Sequence, residues 1–432
     1  MEVNATTFRH DLLDILVSIA EADFVSFDLE LSGIPSRQQR RSPNAGRHTL
    51  EERYLEAREG ANKHQILQVG FTCARFDYIE NRYILKPYNV NLSPLLEDRL
   101  GIDREFSFQT GSISFLLACG FRMDAPFTEG VQYLSREEAE LVKQREFDRI
   151  DDKNEYQDLQ LKRTDIESLG FLDRVRRAIE GWKKSKSPFL EITTRTGLDG
   201  PPEVAAITKF EKRLVYQLIR AEYQDLKAIG RTHSMKIFYY DEQREEENRK
   251  WQKTRVKEQI MRQTGFRWVI EALTGDGVDL LDPRYFERSR SGEAISDLEN
   301  IKGKFDRAKI KLQTHQPVLV GHNMFTDIVY LYRCFIGELP PTLGEFCEAL
   351  HELFPRIVDT KYLATHDEGD LNASPTLERI DTLLSSQELP DISELTASQR
   401  NEVILTDMQV YIRITRNTTM QRHIMRQGTT AF

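Results

Sequence analysis

The stretch Phe24-Val25-Ser26-Phe27-Asp28-Leu29-Glu30-Leu31-Ser32-Gly33-Ile34 leaves the chain few options. Side chains switch faces at every residue of a strand, so Phe27, Leu29 and Leu31 fall on one face and Asp28, Glu30 and Ser32 on the other. Gly33 ends the run. Two carboxylates then stand side by side, and like charges held that close repel until a cation relieves them. Hard divalent ions such as magnesium take carboxylate oxygens, so a strand carrying Asp28-x-Glu30 is a plausible floor for two-metal phosphoryl chemistry. The same tripeptide also fits the solvated face of an edge strand.

The remaining bulk properties narrow the class. A chain of 432 residues has room for two domains. A net charge of −9 argues against binding nucleic acid by bulk charge, though it leaves room for a local basic groove. Cys73, Cys119, Cys334 and Cys347 show no Cys-x-x-Cys spacing and read as reduced thiols of an intracellular protein. No apolar run approaches the roughly 18 residues of a membrane span, and Glu2, Asp11, Asp14 and Glu21 interrupt any leader-like pattern. The expected compartment is nucleus or cytoplasm, with no membrane partner.

Phe8, Leu12, Leu13, Ile15, Leu16 and Ile19 have helical spacing ahead of the Asp28 strand. Residues 65–74 and 83–88 read as two strands that complete an antiparallel meander. Thr49 to Glu52 carries a capping-type helix start. Ser112 to Cys119 reads as a short apolar helix, and Asp241 onward as one long helix reaching Leu273. Gly and Pro residues between 181 and 202 mark a boundary, after which a helix over 210–225 and a strand over 234–240 form a small unit. Residues 298–312 read as a lysine-rich helix, and 401–426 as an amphipathic one. Pro317-Val318-Leu319-Val320-Gly321 is a buried strand running into His322-Asn323, with Asn323 expected to cap a helix and Asp327 in its first turn. Asp327 then either points back at Asp28 and Glu30 or is only a favourable first-turn charge.

Taken together, Asp28-x-Glu30, Gly321-His322-Asn323-x-x-x-Asp327 and Leu353-Phe354-Pro355-Arg356-Ile357-Val358-Asp359-Thr360-Lys361 resemble the poly(A)-specific ribonuclease family, over roughly residues 1–370. The resemblance implies an α/β fold, an RNase H-like mixed β-sheet flanked by helices, with a small α+β single-strand nucleic-acid-binding insert. It divides the chain into a nuclease domain over 1–184 and 243–390, the insert over 185–242 and a divergent tail over 391–432. It also implies a metal-dependent 3′-to-5′ exoribonuclease acting on poly(A) tails, with two Mg2+ ions, single-stranded RNA as partner and a possible homodimer. Asp28, Glu30 and Asp327 would be catalytic and metal-holding, Leu31, Ile34 and Phe115 would pack the terminal bases, and Asp359 would be structural. Phe115 also fits core packing of an apolar helix.

The chain departs from that pattern in two places. The family's third motif is a His followed five positions later by an Asp, the His taking the proton of the attacking water. No such pair follows Asp327: His351 is followed at that distance by Arg356, His366 by Leu371 and His423 by Gly428. The insert lacks the family's Arg and His pair at fixed spacing, since Arg220 is followed four residues later by Gln224 and not by a His, although Lys212, Arg213 and Arg220 remain as possible phosphate contacts. The missing motif keeps a second reading open, a catalytically impaired RNA-binding or partner-binding member of the family.

Overall fold

A computed structural model describes residues 1–35, 49–96, 100–151, 158–198, 207–286 and 298–366, together with 376–377, 380 and 403–405. The chain divides into two compact units, Met1–Gln144 with Lys257–Phe432, and Arg145–Val256. In chain order the elements are β1 (Glu2–Val3), α1 (Phe8–Glu21), β2 (Phe24–Leu31), α2 (Leu50–Lys63), β3 (Ile66–Asp77), β4 (Arg82–Ser93), α3 (Thr110–Ala118), α4 (Ala125–Thr128), β5 (Val131–Gln132) and α5 (Arg136–Ile150). Next come α6 (Ile166–Lys183), β6 (Leu190–Ile192), α7 (Lys209–Glu222), β7 (Leu226–Gly230), β8 (Met235–Tyr239) and α8 (Glu242–Thr264). The remainder forms α9 (Arg267–Thr274), α10 (Leu298–Thr314), β9 (Val318–Gly321), α11 (Phe325–Phe335), α12 (Leu343–Leu353), β10 (Ile357–Asp359), α13 (Thr360–His366) and β11 (Val403–Leu405).

In the first unit a mixed sheet runs β1-β4-β3-β2-β9-β10. The expected meander is its centre: β2 pairs antiparallel with β3, and β3 with β4. β2 also pairs parallel with β9, and β9 with β10. Helices flank this sheet, as the sequence implied. Leu12, Ile15, Leu16 and Ile19 of α1 are fully buried, in one core with Val25, Phe27, Leu29 and Leu31 of β2 and Val329, Tyr330 and Phe335 of α11. Burying that side of β2 pins its register, because a slip of one residue would put Asp28 and Glu30 into the core. The α2 start is capped as expected: Glu52 N donates to Thr49 Oγ1 at 3.1 Å and Thr49 N to Glu52 Oε2 at 2.8 Å. Among the described residues no helix is long and apolar enough to cross a membrane.

In the second unit a three-stranded antiparallel sheet, β6-β8-β7, packs one face on α6 and α7. The unit begins well before residue 185. Phe171, Val175, Ile179 and Trp182 of α6 share its core with Leu214, Val215 and Leu218 of α7 and Met235 and Ile237 of β8. The helix before the Gly/Pro stretch therefore belongs with the elements after it, because its apolar face has its partners there.

Two element expectations change. The long helix does not reach Leu273: it stops at Thr264, and Gly265 adopts φ +52° before α9 begins. Within 401–426, the described residues Val403–Leu405 form a strand antiparallel to Leu85, Ile84 and Tyr83 of β4, not a helix. Val403 and Ile404 are β-branched and favour a pleated edge; the other residues of 401–426 lie outside the described ones.

Gly265 carries the sharpest backbone demand. A Cβ there would stand 1.8 Å from the Gln132 carbonyl oxygen, in a left-handed conformation that disfavours L side chains. Gly265→Ala is expected to destabilise the first unit by at least about 2 kcal/mol, read as a lower urea midpoint. An unchanged midpoint would show that the α8–α9 break relaxes freely.

Candidate active site

Asp28 and Glu30 leave β2 on its partly solvated face while Phe27, Leu29 and Leu31 go into the core, as the alternation requires. The parallel register pairs Ser26 with Val320, so the next turn of β9 into α11 brings Asp327 toward the same end of the sheet. The charges interact. Burial, and then the neighbouring Asp28 charge, push the Glu30 carboxyl up to about 8. Burial lifts Asp327 well above the usual carboxylate range. The Asp28 charge adds to this, its own backbone N–H opposes it, and Glu30 and Asp359 raise it further. Asp327 keeps an outer edge in contact with solvent, yet protein surrounds the carboxyl enough for burial to dominate.

The donors suit a hard divalent ion, being carboxylate oxygens; burial first and neighbouring negative charge second raise the Glu30 and Asp327 carboxyls. Among the described residues, however, no three His, Cys, Asp or Glu side chains are gathered closely enough to form a finished metal cage. Asp370 and Asp407, which the sequence leaves as further acids, lie outside the described residues.

The start of α11 is held differently from the expected cap. Asn323 does not cap it; Met324 takes the cap position and makes no side-chain bond there. Asn323 N and Met324 N instead donate to Asp359 Oδ1 and Oδ2, each at 3.0 Å, and Lys361 N donates to Oδ1 at 2.9 Å. Asn323 sits at φ +57°, a conformation Asn tolerates better than most side chains. Asp359 lies beside Gly321 in the β9–β10 register, so its carboxylate reaches the orphan N–H groups of the turn. His322 Nδ1 lies 3.0 Å from Thr360 Oγ1, which donates to the Gly321 carbonyl at 3.2 Å. With that hydroxyl proton on Gly321, His322 must carry its proton on Nδ1 to donate in turn.

The exit of β2 is tied down from three sides. The Tyr330 hydroxyl, one helical turn past Asp327, donates to the Gly33 carbonyl at 3.0 Å. Ser32 Oγ donates to the Ser107 carbonyl at 2.8 Å, and Gln109 N to the Ser32 carbonyl at 2.8 Å. Ile34 N donates to Gln109 Oε1 at 3.0 Å, and Ser112 Oγ to the same oxygen at 3.0 Å. Gln109 thereby places the N-terminal end of α3 beside Ile34. At the other end of α3, burial and then the Glu30 charge raise the Cys119 thiol. Gly33 admits no side chain, because a Cβ would meet the His64 ring at 2.4 Å. Tyr330, Gln109 and His64 escape a sequence reading, since each acts through a partner at least 30 residues away.

The expected base-packing residues divide. Ile34 is 40% and Phe115 47% exposed, so both offer apolar surface, and Phe115 is not core. Leu31 is 8% exposed and packs in the core with Phe27 and Leu29; it has no face left for a base, because it follows the buried side of the pleat. Phe108, Leu117 and Phe127 add exposed apolar surface that the sequence did not single out.

The model of a family described as CAF1 family ribonuclease matches residues 3–423, well past residue 370 where the likeness in motifs fades. The poly(A)-specific ribonuclease PARN of Xenopus laevis is 24% identical over 380 residues, 84% of this chain and 52% of that protein. An uncharacterized protein of Schizosaccharomyces pombe is 27% identical over 418 residues, 94% of this chain and 86% of that one. The chain thus spans about half the length of the PARN relative it matches. The solved S. pombe Pop2p structure, in its Mg2+- and Mn2+-bound form, aligns with a TM-score of 0.37 at 12% identity, over 99% of this chain and 92% of that one.

Two outcomes follow from the geometry. In divalent-free buffer the folded chain keeps the Glu30 proton up to about pH 8, whereas an unfolded Glu loses it near 4.3. The folded state binds more protons between those values, so stability should fall as pH rises through that window, by at most about 1.4 kcal/mol per pH unit. Thermal midpoints from pH 5 to 8.5 in chelator should slope downward, and Glu30→Gln should flatten the slope; equal slopes would refute the raised Glu30 carboxyl. Separately, Asp359→Asn leaves one acceptor oxygen for the Asn323, Met324 and Lys361 N–H groups, at a cost of about 2 kcal/mol, measured by urea denaturation.

Proposed function

The chain belongs to the CAF1 ribonuclease family, and on that premise we propose that it is a metal-dependent 3′-to-5′ exoribonuclease that shortens the adenosine tails of single-stranded RNA. The observation that supports the reading is that Asp28 and Glu30 share one face of a half-buried strand and that Asp327 lies near enough for their charges, after burial, to raise its carboxyl. Asp28, Glu30 and Asp327 would hold two Mg2+ ions. Bound there, the ions would polarise the scissile phosphate and lower the pKa of water. The protein's own part is to keep Asp327 in place through Asp359 and to align β2 with α11 through Tyr330. Ile34 and Phe115 offer exposed apolar faces for the terminal bases.

The absence of a His with an Asp five positions later after Asp327 favours a second reading, an RNA-binding member with little or no turnover. The two separate in one assay. Under the first reading, adenosine-tailed RNA with Mg2+ should shorten one nucleotide at a time from its 3′ end, and the ladder should vanish in Asp28→Ala. Without a recognisable general base the single-turnover rate should lie about 10²- to 10⁴-fold below that of a complete family member. Retained RNA binding with no ladder at any Mg2+ concentration would select the second reading. A full-speed ladder abolished by Asp28→Ala would mean that another residue supplies the base, with His366 and Asp370, or Asp407, the first to test.

A further inference from the structure

Gln109 stands at the cap position of α3 without capping it. Its side-chain oxygen turns instead to the exit of β2, where it accepts from the Ile34 N–H and the Ser112 hydroxyl, each at 3.0 Å. An amide oxygen has two lone pairs, and both are taken. A backbone N–H can meet only the oxygen of a side-chain amide, so the bond from Ile34 also fixes which way the amide faces. The amino group is left over, a pair of N–H donors with no partner among the described residues. Gln109 is half-buried, and its own N–H is held by the Ser32 carbonyl at 2.8 Å. The donors are therefore anchored through both backbone and side chain.

Exposed apolar side chains accompany this amide. Phe108 precedes it, Ile34 is bonded to it through the backbone, and Phe115 follows on α3. The far end of α3 lies at the acidic site, where the Glu30 charge reaches the Cys119 thiol. The nine residues of α3 span about 13 Å, and so do the four steps of extended chain from Glu30 to Ile34, at about 13 Å. α3 thus runs alongside the exit of β2, with the carboxylates near one end and the Gln109 donors near the other. A single strand whose last phosphates sit at the carboxylates has its 3′-terminal bases within that reach.

We propose that Gln109 is a specificity-determining residue: its amino group donates to a ring nitrogen of an adenine packed against Ile34 and Phe115 near the 3′ end of the RNA. Unstacked bases are read on their Watson–Crick and Hoogsteen edges, and the ring nitrogens N1, N3 and N7 of adenine all accept. Guanine and uracil carry an N–H at the centre of the Watson–Crick edge. An amide whose oxygen is already taken cannot accept from it, so on that edge the fixed amide favours adenine. Stacking alone supplies no such choice, because every base has a π-face. The adenosine ligand rests on the exoribonuclease reading; the orientation of the amide rests only on its bonds to Ile34 and Ser112.

The test uses the full chain in chelator, so that RNA is bound and not cut. Adenosine 15-mers carry 1-deaza-, 3-deaza- or 7-deazaadenosine at the last two positions, each analogue exchanging one ring nitrogen for C–H and keeping the ring. One of the three should bind the parent chain about three- to tenfold more weakly than the unmodified 15-mer. Gln109→Glu keeps an acceptor oxygen for Ile34 and Ser112 and removes the donors. In that variant the affinity ratio between the same analogue and adenosine should fall to about one, since the added charge cancels in the ratio. Its thermal midpoint should stay near that of the parent, because the bonds to Ile34 and Ser112 remain. Equal binding of all analogues, equal loss with all three, or a loss that persists in Gln109→Glu would overturn the proposal. With Mg2+ restored, a chain that shows the analogue effect yet never trims would keep this contact and lose the exoribonuclease reading; trimming with no analogue effect would do the reverse.

Discussion

The back of β2 is buried, and much else follows from that. Phe27, Leu29 and Leu31 cannot leave the core without exposing apolar surface worth about 1.5–3 kcal/mol each. The strand therefore cannot slip, and Asp28 and Glu30 have to share its other face. Hydrophobic burial holds two like charges where electrostatics alone would separate them. The protein answers the conflict with protons: Glu30 keeps one up to about pH 8.

The surrounding bonds hold that conflict in one geometry. Asp359 bridges two successive backbone N–H groups at the start of α11, and Tyr330 ties the same helix to Gly33. Gln109 links the strand exit to α3. Each is a bond between elements that are distant in the chain, so the relative positions of Asp28, Glu30 and Asp327 depend on the whole first unit. On the exoribonuclease reading, this acidic site must also accept a polyanion. RNA approaching uncompensated carboxylates is repelled, so ion binding and RNA binding favour each other at the site.

Local pattern made a large part of this legible. A period of two revealed β2 and the face carrying Asp28 and Glu30, because in a half-buried strand the side-chain period is the burial pattern. The capping pair Thr49 and Glu52 and the apolar run of β9 are likewise complete within a few residues. The motifs around Asp327 and Asp359 carried the family resemblance, and the match of the family over residues 3–423 extends it.

The rest needed the folded chain. Leu31 and Ile34 lie three residues apart, yet one is core and the other surface, because the strand ends between them. Phe115 is exposed although its helix is largely apolar, since only Leu116 of that helix is buried. The start of the second unit moved to Arg145 because α6 finds its apolar partners beyond the Gly/Pro stretch that looked like a boundary. Asn323 reads as a cap until Asp359, 36 residues on, proves to be the group that meets the backbone. Sequence alone determined which residues alternate, cap or carry charge, because those properties belong to neighbours along the chain. Which carboxylates crowd, which hydroxyl aligns them and which apolar side chains stay in water were decided by tertiary packing, because those interactions act through space between segments whose separation no local pattern encodes.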